Sequence, residues 1–153
     1  MILARSSVTN ETTRTAANPH LARWNKNPFH DYLGLTVEEA VAGTSRLALR
    51  PTARTPQGVH GSVHGGVVAT MVDMAAIVAI TTIIQPGEVM GGTAELNVSY
   101  LRPALAPVVY ADGRVIGRTA EGIITCVVDL SDGAGRQFAA GRVQYLLRGP
   151  GDA

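Results

Sequence analysis

Apolar and polar positions alternate along one stretch in the second half of this chain. From Thr93 to Leu101, TAELNVSYL sets Ala94, Leu96, Val98 and Tyr100 on one face and Thr93, Glu95, Asn97 and Ser99 on the other. That period of two predicts a half-buried strand. VVYADGRVIGR, GIITCVVDLSD and RQFAAGRVQYLL follow. Each is rich in β-branched or aromatic residues and bounded by Pro, Gly, Asp or Ser clusters that turn chains, so three more strands are expected. Ser131–Arg136, SDGAGR, is the strongest hairpin signal. Upstream, LGLTVEEAVAGTSRLALRP reads as two shorter strands, Leu35 to Ala42 and Thr44 to Arg50, with Gly43 at the turn, and a helical piece from about Asn18 to Leu33 leads into them.

Between these groups runs Val67 to Ile84, VVATMVDMAAIVAITTII, apolar at every turn except for Asp73. A helix apolar all round must be covered on all sides. The expected order is a short helix, two strands, one long helix and four strands. That order predicts an α+β layer arrangement in which an antiparallel sheet curls around the single long helix. The same run approaches the minimum length of a membrane span. Asp73 near its middle would cost about 2.5–3.5 kcal/mol there, and no Lys or Arg closely flanks either end, which argues against a span.

The chain has 153 residues, enough for one domain with a core of its own. Its first residues, MILARSSVTNETTRTAANPH, are rich in Ser, Thr and Asn and lack the apolar segment of a secretory signal. The expected division is a tail over residues 1–17, one domain over 18–148 and a short tail over 149–153, in a cytoplasmic protein. Thirteen basic residues against twelve acidic leave a formal charge of +1 without a basic stripe, which argues against nucleic-acid binding. Cys126 is the only cysteine, so one chain holds neither a disulfide nor a multi-cysteine zinc site. It reads as a small buried hydrophobe.

The candidate chemistry lies in GVHGSVHGGVVATMVDMAA, where His64-Gly65-Gly66 precedes the apolar run and Asp73 follows His64 by nine residues. A helix N-terminus has free N–H groups, and Gly65 and Gly66 carry no side chain to keep a carbonyl away from them. Such donors can hold an oxyanion, and a carboxylate such as Asp73 can attack a carbonyl or deprotonate a water. Yet at 1.5 Å per residue Asp73 lies roughly 10 Å along the axis from Gly66, too far for both to meet one carbonyl carbon. Two such helices running antiparallel across a two-fold axis would bring Asp73 of one chain to the His-Gly-Gly end of the other. His60 and His64 with Asp73 could suggest a metal, but the glycines at 61, 65 and 66 break helical ligand spacing, so no metal is expected.

GSVHGGVVATMVDMAA, AELNVSYLRPA and VIGRTAEGIITCVVDLSDGAGRQFAAGRVQYLL together resemble the hotdog-fold acyl-CoA thioesterases of the phenylacetate-degradation (PaaI-like) type, over about Phe29 to Leu147. The resemblance implies a hotdog fold, with the sheet wrapped around a central helix that opens on His-Gly-Gly. It implies hydrolysis of an acyl-CoA to a carboxylate and free coenzyme A, with no metal or redox cofactor. Two sites are then shared across a homodimer, often in a dimer of dimers. It gives His64 an orienting role beside the oxyanion site and makes Thr93 a hydroxyl that holds the water or the carboxylate. Arg102 and Arg118 would meet the phosphates of coenzyme A. One departure stands out: the family usually has an asparagine six residues before the histidine, where this chain has Gly58, next to Gln57. A catalytically silent hotdog dimer that binds acyl-CoA or serves as an assembly partner is the alternative reading. A hotdog dehydratase fits less well, because such enzymes place their histidine and acid in other patterns.

Overall fold

The computed structural model describes residues 19–149, so the expected tail over residues 1–17 lies outside the described residues, as does the C-terminal one beyond Gly149. The elements run α1 (Pro19–Trp24), α2 (Pro28–Leu33), β1 (Leu35–Val41), β2 (Thr44–Leu49), a 3-10 turn (Val59–Gly61), α3 (Gly65–Thr81), β3 (Val89–Tyr100), β4 (Val109–Arg118), β5 (Ile123–Ser131) and β6 (Gln137–Arg148). The strands form one antiparallel sheet in the order β1-β2-β4-β5-β6-β3. This is the expected α+β hotdog arrangement, a curved sheet around one main helix.

Where one helical piece was expected between Asn18 and Leu33, there are two short helices. Pro28 disfavours helical backbone at Asn27, which is extended (φ −72°, ψ 123°) and caps the second helix by accepting from the Phe29 N–H. The long helix starts two residues earlier than its apolar run and ends at Thr81, with Ile83 and Ile84 leaving it ahead of Gln85-Pro86-Gly87. None of the described helices is long and apolar enough to cross a membrane.

Helix α3 touches every strand of the sheet. Met71, Val72, Ala75, Ala76, Val78 and Ile80 are buried against Leu47, Leu49, Val109, Ile124, Val128, Leu130, Phe138 and Val143. Two strand glycines set how closely helix and sheet approach. A Cβ at Gly141 would overlap the Val72 side chain, and one at Gly113 would stand 2.8 Å from the Ala75 carbonyl oxygen. That carbonyl also accepts a 2.7 Å hydrogen bond from the buried Ser45 hydroxyl.

Two expectations about burial are corrected. The helix is not covered on all sides in a single protomer: Gly66, Ala69, Thr70 and Asp73, spaced three and four apart, keep one stripe open. Strand β3 is not half-buried. It is a sheet edge, exposed along nearly its whole length, with Leu96 41% and Tyr100 57% accessible. The alternation read along it is also interrupted, because Ala94 bulges out of register between Thr93 and Glu95. An extra residue shifts all that precede it to the other face. Thr93 therefore shares the helix-facing side with Val98 and Tyr100, not the side opposite them.

Candidate active site

The first turn of α3 uses nearly all its free N–H groups within the chain. His64 is the N-cap, and its Nδ1 accepts from the Gly66 N–H at 3.0 Å. Its carbonyl accepts from Val67 and Val68 at 2.9 and 3.1 Å. Among the described residues the Gly65 N–H alone of this turn has no acceptor, so it, not Gly66, is the donor left for a ligand. Because Nδ1 is an acceptor here, the neutral His64 ring carries its proton on Nε2. His60 does not compete for the capping role; it sits exposed in the 3-10 turn at φ 56°.

Gly65 and His64 line a cleft of ≈ 500 Å³ whose walls include Val59, Tyr100, Leu101 and Arg102. Arg102 is exposed at this cleft, and its side chain makes no ion pair among the described residues. Arg118 is placed differently. Its guanidinium is held by Glu88 through two hydrogen bonds, and that bond from Arg118 lowers the Glu88 carboxyl below its ordinary range. The pair ties the end of β4 to the loop before β3. The two arginines expected to act alike are therefore one free and one committed.

Asp73 lies about two turns further along α3 and does not line this cleft. It is partly buried, and its Oδ1 accepts a 2.7 Å hydrogen bond from the Thr93 hydroxyl. No basic side chain pairs with it among the described residues. Tyr145, opposite Thr93 in the β3–β6 register, is raised above its ordinary range by burial and then by the Asp73 charge. A second cavity, ≈ 390 Å³, opens one helical turn beyond Asp73; Trp24, Ile77, Met90 and Tyr145 line it together with the polar Arg23, Asn27 and Thr81. Among the described residues no group of three His, Cys, Asp or Glu side chains is placed to share a metal ion.

One helix thus carries two separate polar features, a free N–H at its N-terminus and a carboxylate with its hydroxyl partner near its middle. The sequence reading missed two contributors. Tyr100 touches Gly65 and Tyr145 lies beside Asp73, but alternation marks Tyr100 only as an apolar-face residue, and Tyr145 reads only as an aromatic of a strand. Gly58 is crowded: a Cβ there would lie 3.2–3.3 Å from Ser62 Oγ, the Val63 carbonyl oxygen and His64 Cα. Gln57 lines a neighbouring cavity of ≈ 240 Å³ and not the cleft that holds His64.

The sequence model of the thioesterase superfamily matches residues 60–137. A protein of Halobacterium salinarum that carries a provisional esterase name is 36% identical over 126 residues, which are 76% of this chain and 82% of that one. Among solved structures, the thioesterase HI1161 of Haemophilus influenzae superposes with a TM-score of 0.74 at 18% identity, covering 86% of this chain and 92% of its own. A variant of the phenylacetic acid degradation protein PaaI of Thermus thermophilus superposes with a TM-score of 0.67 at 23% identity, covering 78% and 98%. At those identities the two structures show a shared fold.

Proposed function

This chain belongs to the thioesterase superfamily, and from that premise we propose that it is a thioester hydrolase that acts on acyl-coenzyme A at sites shared between two copies of itself. The observation that carries this reading is the separation of the half-sites: the free Gly65 N–H and the Asp73–Thr93 pair lie on one helix but open into different places. Two features of the protomer suit a second copy. The open stripe of α3 bears Gly66, Thr70 and Asp73, and β3 presents an uncovered sheet edge with Leu96 and Tyr100 exposed. An unpaired edge is a template for another strand. With two helices antiparallel across a two-fold axis, Asp73 of each chain meets the Gly65 end of the other.

The thioester carbonyl oxygen accepts from the Gly65 N–H of one chain, which stabilises the charge that grows there. Thr93 occupies Asp73 Oδ1 in the other chain and leaves Oδ2 to take a proton from the attacking water. Water oxygen bonds to the carbonyl carbon, the C–S bond breaks, and the thiolate of coenzyme A recovers the proton. The products are a carboxylate and a free thiol, and the only coenzyme involved is the substrate's own. Arg102 at the cleft suits a coenzyme A phosphate, and the cavity beyond Asp73, with Trp24, Ile77 and Met90 on its apolar side and Arg23, Asn27, Thr81 and Tyr145 on its polar side, suits an acyl group.

Gly58 favours a second reading, a binding dimer without turnover, because no amide side chain stands in the His64 cleft where the resemblance puts one. Hydrolysis of a panel of acyl-CoA thioesters, read as released thiol, separates the two. The shared site has its own test. Gly65→Pro deletes the free N–H at a helical position where proline is well tolerated, and the extended His64 (φ −59°, ψ 138°) already suits a following proline. Gly65→Pro and Asp73→Asn proteins, each inactive alone, should regain turnover when mixed and allowed to exchange subunits, since each mixed dimer holds one intact site. No recovery after demonstrated exchange would refute sharing.

A further inference from the structure

The peptide between Gly65 and Gly66 is held at both ends. Its carbonyl oxygen accepts a 3.0 Å hydrogen bond from the Tyr100 hydroxyl, and its N–H donates at 3.0 Å to His64 Nδ1. Two consecutive glycines have the freest backbone of any dipeptide and no side chains to pack. They also sit in the first turn of a helix, where ends fray. The tyrosine comes from β3, 35 residues along the chain, and its Cε1 stands 3.4 Å from where a Gly65 Cβ would be. Within one protomer Tyr100 is 57% exposed, so its hydroxyl bond to Gly65 is its one polar tie to the helix among the described residues.

We propose that Tyr100 is a positioning residue for thioester hydrolysis: its hydroxyl fixes the Gly65–Gly66 peptide so that the free Gly65 N–H keeps one direction in the cleft. The proposal rests on the hydrolase reading of this cleft but adds a residue to it. A hydrogen bond to the peptide carbonyl polarises the group and strengthens donation from its other end, so the Tyr100 and His64 bonds reinforce each other. The clamp leaves only the neighbouring peptide's N–H, that of Gly65, to meet the substrate. An oxyanion donor acts through preorganisation, since one that must be oriented during the reaction loses much of its value.

Tyr100→Phe keeps the ring and removes the bond. Turnover of the best acyl-CoA substrate is expected to fall about threefold to tenfold, the range for one neutral hydrogen bond. KM should stay within about twofold, because the donor matters most in the transition state. Amide hydrogen exchange at Gly66 should speed up while exchange at buried α3 amides such as Val72 stays as in the wild type. An unchanged kcat would overturn the proposal. So would equal slowing of kcat and faster exchange along the whole helix, which would mark a structural tyrosine. If the wild type hydrolyses no thioester, the hydrolase reading fails by itself, and unchanged exchange at Gly66 in Tyr100→Phe would then reject the clamp separately.

Discussion

Thr93 donates its hydroxyl to Asp73 Oδ1 at 2.7 Å, joining an edge strand to the middle of the central helix across a sequence separation of 20 residues. The bond fixes one carboxylate oxygen and leaves the other for chemistry. Thr93→Val keeps the shape and removes the donor. Turnover is expected to drop about tenfold to a hundredfold, the range for a bond to a charged group, and Thr93→Val should cost little more in a chain already carrying Asp73→Asn. Full additivity in that double-mutant cycle would show that the two residues act separately.

Asp73→Asn keeps a carbonyl oxygen that can still accept from Thr93 but removes the charge. Hydrolysis should fall by at least about a hundredfold, the lower end of what an acid–base group supplies, with acyl-CoA binding retained. The melting temperature should hold, because no cation among the described residues loses its partner. Retained turnover in a folded Asp73→Asn protein would end the mechanism.

Arg102 and Arg118 should part company when each is replaced by alanine. Loss of the unpaired Arg102 at the cleft should raise KM for coenzyme A thioesters, an effect that added salt diminishes, and leave a short synthetic thioester untouched. Loss of Arg118 leaves Glu88 without its partner and should show as a modest fall in melting temperature with KM unchanged. Steady-state kinetics on both substrates, with thermal melts, tell the two apart.

Gly141 leaves no room for a side chain against α3. Gly141→Ala should destabilise the protein by roughly 1–3 kcal/mol, because the new methyl group meets Val72 in a packed core. Denaturant unfolding measures it, and a neutral result would mean that α3 can shift away from β6 at little cost.

Alkali should reveal the buried groups. Burial pushes the Cys126 thiol up to about 12, and Tyr145 is also raised by burial and by the charge of Asp73. A group whose folded value is raised adds stability below its unfolded value and loses it as pH climbs to the folded one. The native protein should therefore lose stability between about pH 9 and 12. Cys126→Ala should flatten part of that loss, and the native thiol should resist disulfide reagents near neutral pH. Rapid thiol labelling in the folded protein would contradict the buried placement.

Much of the fold was legible because it follows from local patterns. β-Branched and aromatic runs bounded by turn residues marked β4, β5 and β6, the continuous apolar run marked α3, and Asp73 stood out as the one charge in that run. Glycines after a histidine also signal an open helix start, and His64 does cap it. Pro28 splits the leading helical piece by a local rule that the sequence already contained.

What local pattern could not decide depended on contacts between distant segments. The bulge at Ala94 turns Thr93 toward Asp73, and nothing in TAELNVSYL by itself reveals an extra residue in a ladder whose other strand lies some fifty residues on. Whether Arg102 or Arg118 was free depended on where Glu88 came to lie, and Gly65 became the one unbonded donor only because His64 took Gly66. The sequence by itself determined which groups could act as donor, acid and hydroxyl, since those are properties of residue type and spacing. Tertiary structure alone decided which of them remain unpaired, because each hydrogen bond formed within the fold removes a group from those available to a substrate.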